Sequence, residues 1–218
     1  ADGSSVTLGG EGGAERVVLE FVSEGYFDLL GATPVLGRGF TAEELSTPDG
    51  FPVVVLSHDL WQSRYAGAPD VLGRTLDVNG RTVTVVGVMS PGFSGANLSA
   101  DLWAPLAMIG LAASADLLES RGTRFLGVLG RLAPGADAAS AERELEGIAR
   151  ELQGMYPDTH EDRYAEVVSF REGYLGTTGR LLWILFGAGA LLLIIASANV
   201  ANLLLVRADS RSRELVVR

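Results

Sequence analysis

The chain has 218 residues, 47% of them hydrophobic, which is enough for one sizeable domain or two small ones. Its formal net charge of -10 argues against a nucleic-acid partner, because phosphate binding needs a basic surface. All 17 basic residues are arginine, and the lack of cysteine excludes disulfides and thiolate metal sites. Ala1 opens the chain without an initiator methionine or an apolar signal segment, as expected of a piece of something longer.

Residues 1–14, rich in Gly, Ser and Glu, read as a flexible segment. The glycine run Gly9-Gly10-Glu11-Gly12-Gly13 has no following Gly-Lys-Ser/Thr, so it is no phosphate cradle. Arg16 to Val22 reads as a strand. Ser23 is placed to cap a short helix that ends at Gly31. Gly37 to Phe40 is a turn, and Thr41-Ala42-Glu43-Glu44 has the capping-box pattern of another short helix. Val53 to Leu56 is a continuous apolar run of the kind found in buried strands. Ser57 caps a helix from His58 to Ala66, ended by Gly67.

Arg74 to Val78 and Arg81 to Val88 flank Asn79-Gly80, the strongest short-range hairpin signal in the chain. Asp101 to Pro105 reads as a short strand, Ile109 to Arg121 as a helix and Arg124 to Leu132 as a strand. Asp137 to Met155 is the longest helix before the apolar tail, with Ala141, Leu145, Ile148 and Leu152 on one face. Tyr164 to Phe170 reads as a last strand. Strands and helices mix without βαβ alternation, so the fold class is α+β: a mixed-sheet domain over residues 15–172 with two subdomains, 15–105 and 123–171.

Residues 173–180 then form a joint to the uncharged stretch Leu181 to Val206. Its 26 residues would span about 39 Å as a helix, against about 30 Å of hydrocarbon. It reads as one transmembrane helix. The short flank 207–218 carries Arg207, Arg211, Arg213 and Arg218, whereas residues 1–206 hold 13 arginines against 25 acids. Positive short flanks stay cytoplasmic, which places residues 1–180 outside the cytoplasm of a bacterial inner membrane. Asn199 and Asn202, three apart in the span, need partners in hydrocarbon. With Ser197 and nearby glycines and alanines they mark a face for packing against another helix.

No catalytic, cofactor-binding or metal site emerges. Ser57-His58-Asp59 holds the three residue types of a triad, but neighbours on one helical turn do not converge. His160-Glu161-Asp162 offers one histidine, far from the other at His58, and reads as a surface loop.

Several motifs in register resemble MacB/FtsX-like ABC transporter permeases, in their MacB-like periplasmic core domain and the membrane helix after it. They are Tyr26-Phe27-Asp28-Leu29-Leu30-Gly31 with Leu36-Gly37-Arg38-Gly39-Phe40, and Val54-Val55-Leu56-Ser57-His58-Asp59-Leu60-Trp61. Leu72-Gly73-Arg74-Thr75-Leu76, Val78-Asn79-Gly80, Val85-Val86-Gly87-Val88-Met89 and Pro91-Gly92-Phe93 follow in order, and then Ile195 to Leu205. The resemblance implies a non-enzymatic fragment of a permease that moves with a cytoplasmic ABC ATPase, for efflux or mechanical transmission. ATP would bind in that partner, and this fragment would hold no cofactor. The implied partners are the ATPase, a second permease half or protomer, a periplasmic adaptor and the lipid bilayer. Arg213, Glu214 and Arg218 resemble the entry to the cytoplasmic coupling segment. The rival reading is a membrane-anchored extracytoplasmic binding or sensor domain without transport activity.

Overall fold

A computed structural model describes residues 3–10, 13–120, 122–160 and 163–216. The chain divides into two compact units, one of residues 1–133 with 156–161 and the other of residues 134–155 with 162–218.

The first unit is built on seven strands: β1 Ser4–Gly9, β2 Glu15–Val22, β3 Pro34–Gly37, β4 Val53–Leu56, β5 Thr75–Val78, β6 Arg81–Met89 and β7 Leu102–Pro105. Their order is β3-β6-β4-β7-β2-β1-β5, and β5 also pairs with β6. That extra pairing closes six of the strands into a small barrel, with β3 added along β6. The sheet is mixed, because β2–β7 and β4–β6 run parallel and the other pairs antiparallel.

The period of two along each strand explains the core. Each barrel strand sends at least two buried side chains to one cluster, such as Val6 and Leu8 of β1, Val54 and Leu56 of β4, and Leu102 and Ala104 of β7. Leu60, Val71, Met108 and Leu111 join it from helical segments. The alternate residues Val22, Val55 and Trp103 face outward into a second cluster with Met89. Aromatic rings cover that cluster: Phe27 lies 6.0 Å from both Phe40 and Trp103, and Phe93 lies 5.2 Å from Trp103. These rings come from the motif segments around Tyr26, Phe40 and Phe93.

Local chemistry sets the short helices. Thr41 and Glu44 form the expected capping box of α2, Ala42–Ser46. Arg38 adds a bidentate pair to Glu44, both bonds at 2.8 Å, and holds that carboxyl below its usual range. Ser57 Oγ accepts the Leu60 amide at 3.1 Å and starts α3, His58–Tyr65. Helix α1, Tyr26–Leu30, begins after Gly25 in the left-handed region rather than at Ser23. Asn79 and Gly80 take φ values of 53° and 82°, as the tight β5–β6 hairpin requires.

Four further expectations change. Residues 4–9 form β1, because Val6 and Leu8 alternate into the core between β2 and β5. Between Ile109 and Arg121, two 3-10 segments, Leu106–Leu111 and Ala115–Leu118, replace one helix. Ser114 restarts the second of them through its own cap to Asp116, and Arg121 lies outside the described residues. Arg124–Leu132 has the apolar content of a strand but no ladder partner among the described residues, and Tyr164–Ser169 likewise joins no ladder among them. A strand exists only by pairing with another strand. The expected strand–helix–strand subdomain is therefore represented by its helix, α4, Ala138–Met155.

After the short α5, Pro157–His160, the second unit ends in α6, a single 47-residue helix Phe170–Val216. The joint at 173–180 is its first part. Where β6 meets Arg38, a Cβ at Gly87 would fall on the Arg38 carbonyl oxygen, whereas one at Gly122 meets nothing. Gly87→Ala is expected to destabilise the domain by about 1–3 kcal/mol through overpacking. Gly122→Ala should leave the denaturation midpoint unchanged, and urea titration of both variants checks the contrast.

Candidate functional site

The feature with the clearest physical consequence is α6. Within it, Leu181–Ala201 has a mean hydropathy of 2.4 over 21 residues, and none of it is buried. Leu185 and Phe186 are each 70% exposed. Moving one such side chain out of water is worth about 1.5–3 kcal/mol, so a stretch of this length demands lipid or other helices. At about 1.5 Å per residue it covers roughly 31 Å, the thickness of the hydrocarbon core. The whole helix is about 70 Å long, so residues 170–180 precede the span and 202–216 follow it as continuous helix. Near its start Trp183 and Phe186 meet edge to face at 6.1 Å, as an interfacial aromatic pair does.

Ser197 and Asn199 are exposed on this helix. Asn202 continues it one turn on, and its side chain is outside the described residues. The backbone of Arg213 and Glu214 belongs to the last turns of α6, with side chains outside the described residues, and Arg218 lies beyond them.

The other polar clusters have local roles. Ser57 is spent on its cap, and His58 Nδ1 stands 3.8 Å from Asp59 Oδ1 with its ring edge on Trp61. His160 bonds Thr159 at 3.0 Å, while Glu161 and Asp162 lie outside the described residues. Among the described residues, no three His, Asp or Glu side chains gather closely enough to hold a metal ion.

One polar cluster escapes sequence reading altogether. Glu20 of β2 is 3% exposed and accepts a bond from the Trp103 indole at 3.1 Å. In the run Arg16 to Val22 it reads as the solvent-facing residue of an alternating strand. Only its place between Val18 and Val22, on the face opposite Val17 and Leu19, hints at a second apolar layer.

The sequence model of the family described as MacB-like periplasmic core domain matches residues 2–148. The macrolide export ATP-binding/permease protein MacB of Aggregatibacter actinomycetemcomitans is 25% identical over 207 residues, covering 90% of this chain and 29% of that protein. The chain thus spans less than a third of that relative. The crystal structure of the periplasmic region of MacB from Actinobacillus actinomycetemcomitans matches with a TM-score of 0.52 at 24% identity, covering 70% of this chain and 65% of that one. A looser match, TM-score 0.43 at 20% identity, is the extracellular domain of the noncanonic ABC-type transporter YknZ from Gram-positive bacteria, covering 56% of this chain and 67% of that one.

An arginine at the centre of the apolar stretch should oppose insertion. Ile194→Arg is expected to cost about 2.5–3.5 kcal/mol of membrane insertion. A glycosylation-based insertion assay on the α6 segment measures it.

Proposed function

The chain belongs to the MacB-like periplasmic core domain family, and on that premise we propose that it couples a periplasmic domain to a cytoplasmic ABC ATPase through α6, in export or in mechanical transmission across the inner membrane. Residues 1–180 then lie in the periplasm and residues 207–218 in the cytoplasm, as the arginine-rich flank favours. ATP is bound and hydrolysed outside this chain, and the domain contributes movement rather than chemistry.

The observation that carries the proposal is the unbroken helix from Phe170 to Val216. A continuous helix carries an axial or rotational displacement along its length, whereas a flexible linker absorbs it. Ser197, Asn199 and Asn202 are the residues assigned to packing against the second permease half or protomer. Amides in hydrocarbon gain about 0.6–2 kcal/mol each by bonding across a helix interface. Arg213, Glu214 and Arg218 are assigned to the ATPase contact, and a periplasmic adaptor is the partner of the extracytoplasmic face. Against the sensor reading, the proposal requires further membrane helices in the full-length protein.

Inserting a flexible Gly/Ser stretch between Gly176 and Thr177 of the full-length permease should preserve ATP hydrolysis and abolish export. Export at the wild-type rate would refute coupling through this joint. Reversing the charges of Arg213, Glu214 and Arg218 together should weaken ATPase capture in a pull-down by about tenfold or more, the equivalent of about 1.4 kcal/mol. Undiminished capture would remove these residues from the interface.

A further inference from the structure

One end of the barrel is covered by chain that belongs to no sheet. β2 and β7 finish side by side there, with Phe21 paired to Ala104 and Val22 to Pro105. The chain leaving β7 folds back as the 3-10 segments Leu106–Leu111 and Ala115–Leu118. Met108 and Leu111 of this cover join the interior cluster. Asn79 Nδ2 donates to the Leu111 carbonyl at 2.9 Å and ties the cover to the β5–β6 hairpin. Beside the cover lies a cavity of about 490 Å³, open to solvent. Phe21, Leu106, Ile109 and Leu117 line it, and the extended strap 124–127 adds a wall through Arg124 and Phe125. All of these residues belong to the first unit.

The lining is apolar apart from Ser4 and Arg124, and among the described residues none of its side chains is acidic. That contrasts with the net charge of -10 on the whole chain. Among the described residues Arg124 has no ion-pair partner. Asp116, in the second 3-10 segment of the cover, is engaged by the Ser114 hydroxyl at 3.1 Å. The strap itself joins no ladder among the described residues. Further along the chain Arg131 donates to the Leu29 carbonyl of α1 and anchors the segment there. Small ligands bind in apolar pockets of roughly 300–1,000 Å³ with a few placed polar groups, often in the mouths of β-barrels. An unpaired guanidinium at such a pocket repels cations and offers charge-assisted bonds to a carboxylate or phosphate.

We propose that this cavity binds a single-chain anionic amphiphile. Its apolar tail lies against Phe21, Leu106, Ile109 and Leu117, and its head group, a carboxylate or a phosphate, pairs with Arg124. The tail contributes through the apolar area it removes from water, and the head through its bonds to the guanidinium. A neutral apolar ligand would leave the guanidinium unpaired, and a cationic one would be repelled by it. The volume of about 490 Å³ lies in the lower half of the range for ligand pockets, which suits one chain rather than a two-chain lipid. This inference stands independently of the proposed transport role.

The test uses the full chain in phosphatidylcholine nanodiscs near neutral pH, where a carboxylate is ionised. The probe is dodecanoate, with dodecanol as its neutral counterpart. The Ile109 methyl NMR resonance, assigned with Ile109→Val, is followed against the free concentration of each probe. Dodecanoate should shift it saturably, and dodecanol should bind about tenfold more weakly for want of a charged head. Arg124 is exposed, so Arg124→Gln should fold, and it should bring the two probes to equal affinity. A merely structural arginine would leave their ratio unchanged. Ala113→Trp fills the cavity from an exposed position and should weaken both probes alike. No saturable shift, equal affinities in the wild type, or a preference that survives Arg124→Gln would overturn the proposal. If Arg124→Gln does not fold, the wild-type ratio and Ala113→Trp decide, and binding unchanged by Ala113→Trp overturns the site. Lysophosphatidylglycerol placed in the nanodisc identifies the source. A shift of Ile109 with it supports a ligand drawn from the membrane, and a shift with dodecanoate alone supports one taken from solution.

Discussion

β5 hydrogen-bonds to β1 on one side and to β6 on the other, and this double pairing is the constraint on which the first unit depends. Without it the strands would form an open mixed sheet with long exposed edges. With it, two or three side chains from each of six strands meet in one apolar interior. The outward residues then need a cover of their own. The aromatic rings of Phe27, Phe40 and Phe93 supply it from segments that the sheet itself does not contain. Glycine makes that arrangement physically feasible at one place, where β6 passes so close to the Arg38 backbone that only Gly87 fits.

Much of this was legible in the chain because the signals are local. The Asn79-Gly80 hairpin, the Thr41–Glu44 capping box, the buried run Val53–Leu56 and the Ser57 cap each depend on a few neighbouring residues, and each appears where the sequence places it. Signals that need a distant partner were not legible. β1 hides two core residues among small polar ones, and its role appears only when β2 and β5 flank it. Arg124–Leu132 and Tyr164–Ser169 show the opposite error: their residue content suits strands, but no strand stands beside them among the described residues.

The candidate site divides in the same way. The apolar stretch of α6 announces itself because its length and lack of charge exceed what a small core can bury. Its continuity back to Phe170 does not, since Gly173, Gly176 and Gly179 weaken any helix prediction there. Glu20 was invisible as a buried group because the loop that covers it arrives from residues 94–99, far along the chain. A buried carboxyl is a tertiary fact, whereas a cap or a turn is a local one.

The parallel pairing of β2 with β7 has a consequence for the birth of the molecule. Leu19 must wait for Leu102, so the wall cannot seal until the peptide has been made to about Pro105. Contacts of such long reach form slowly, because the intervening chain must first be gathered in. A polypeptide delivered N-terminus first across a membrane would thus emerge as an unsealed half-shell. Its nascent ribbons, β2 foremost, would need shelter from sticking to their neighbours until the last stave arrives.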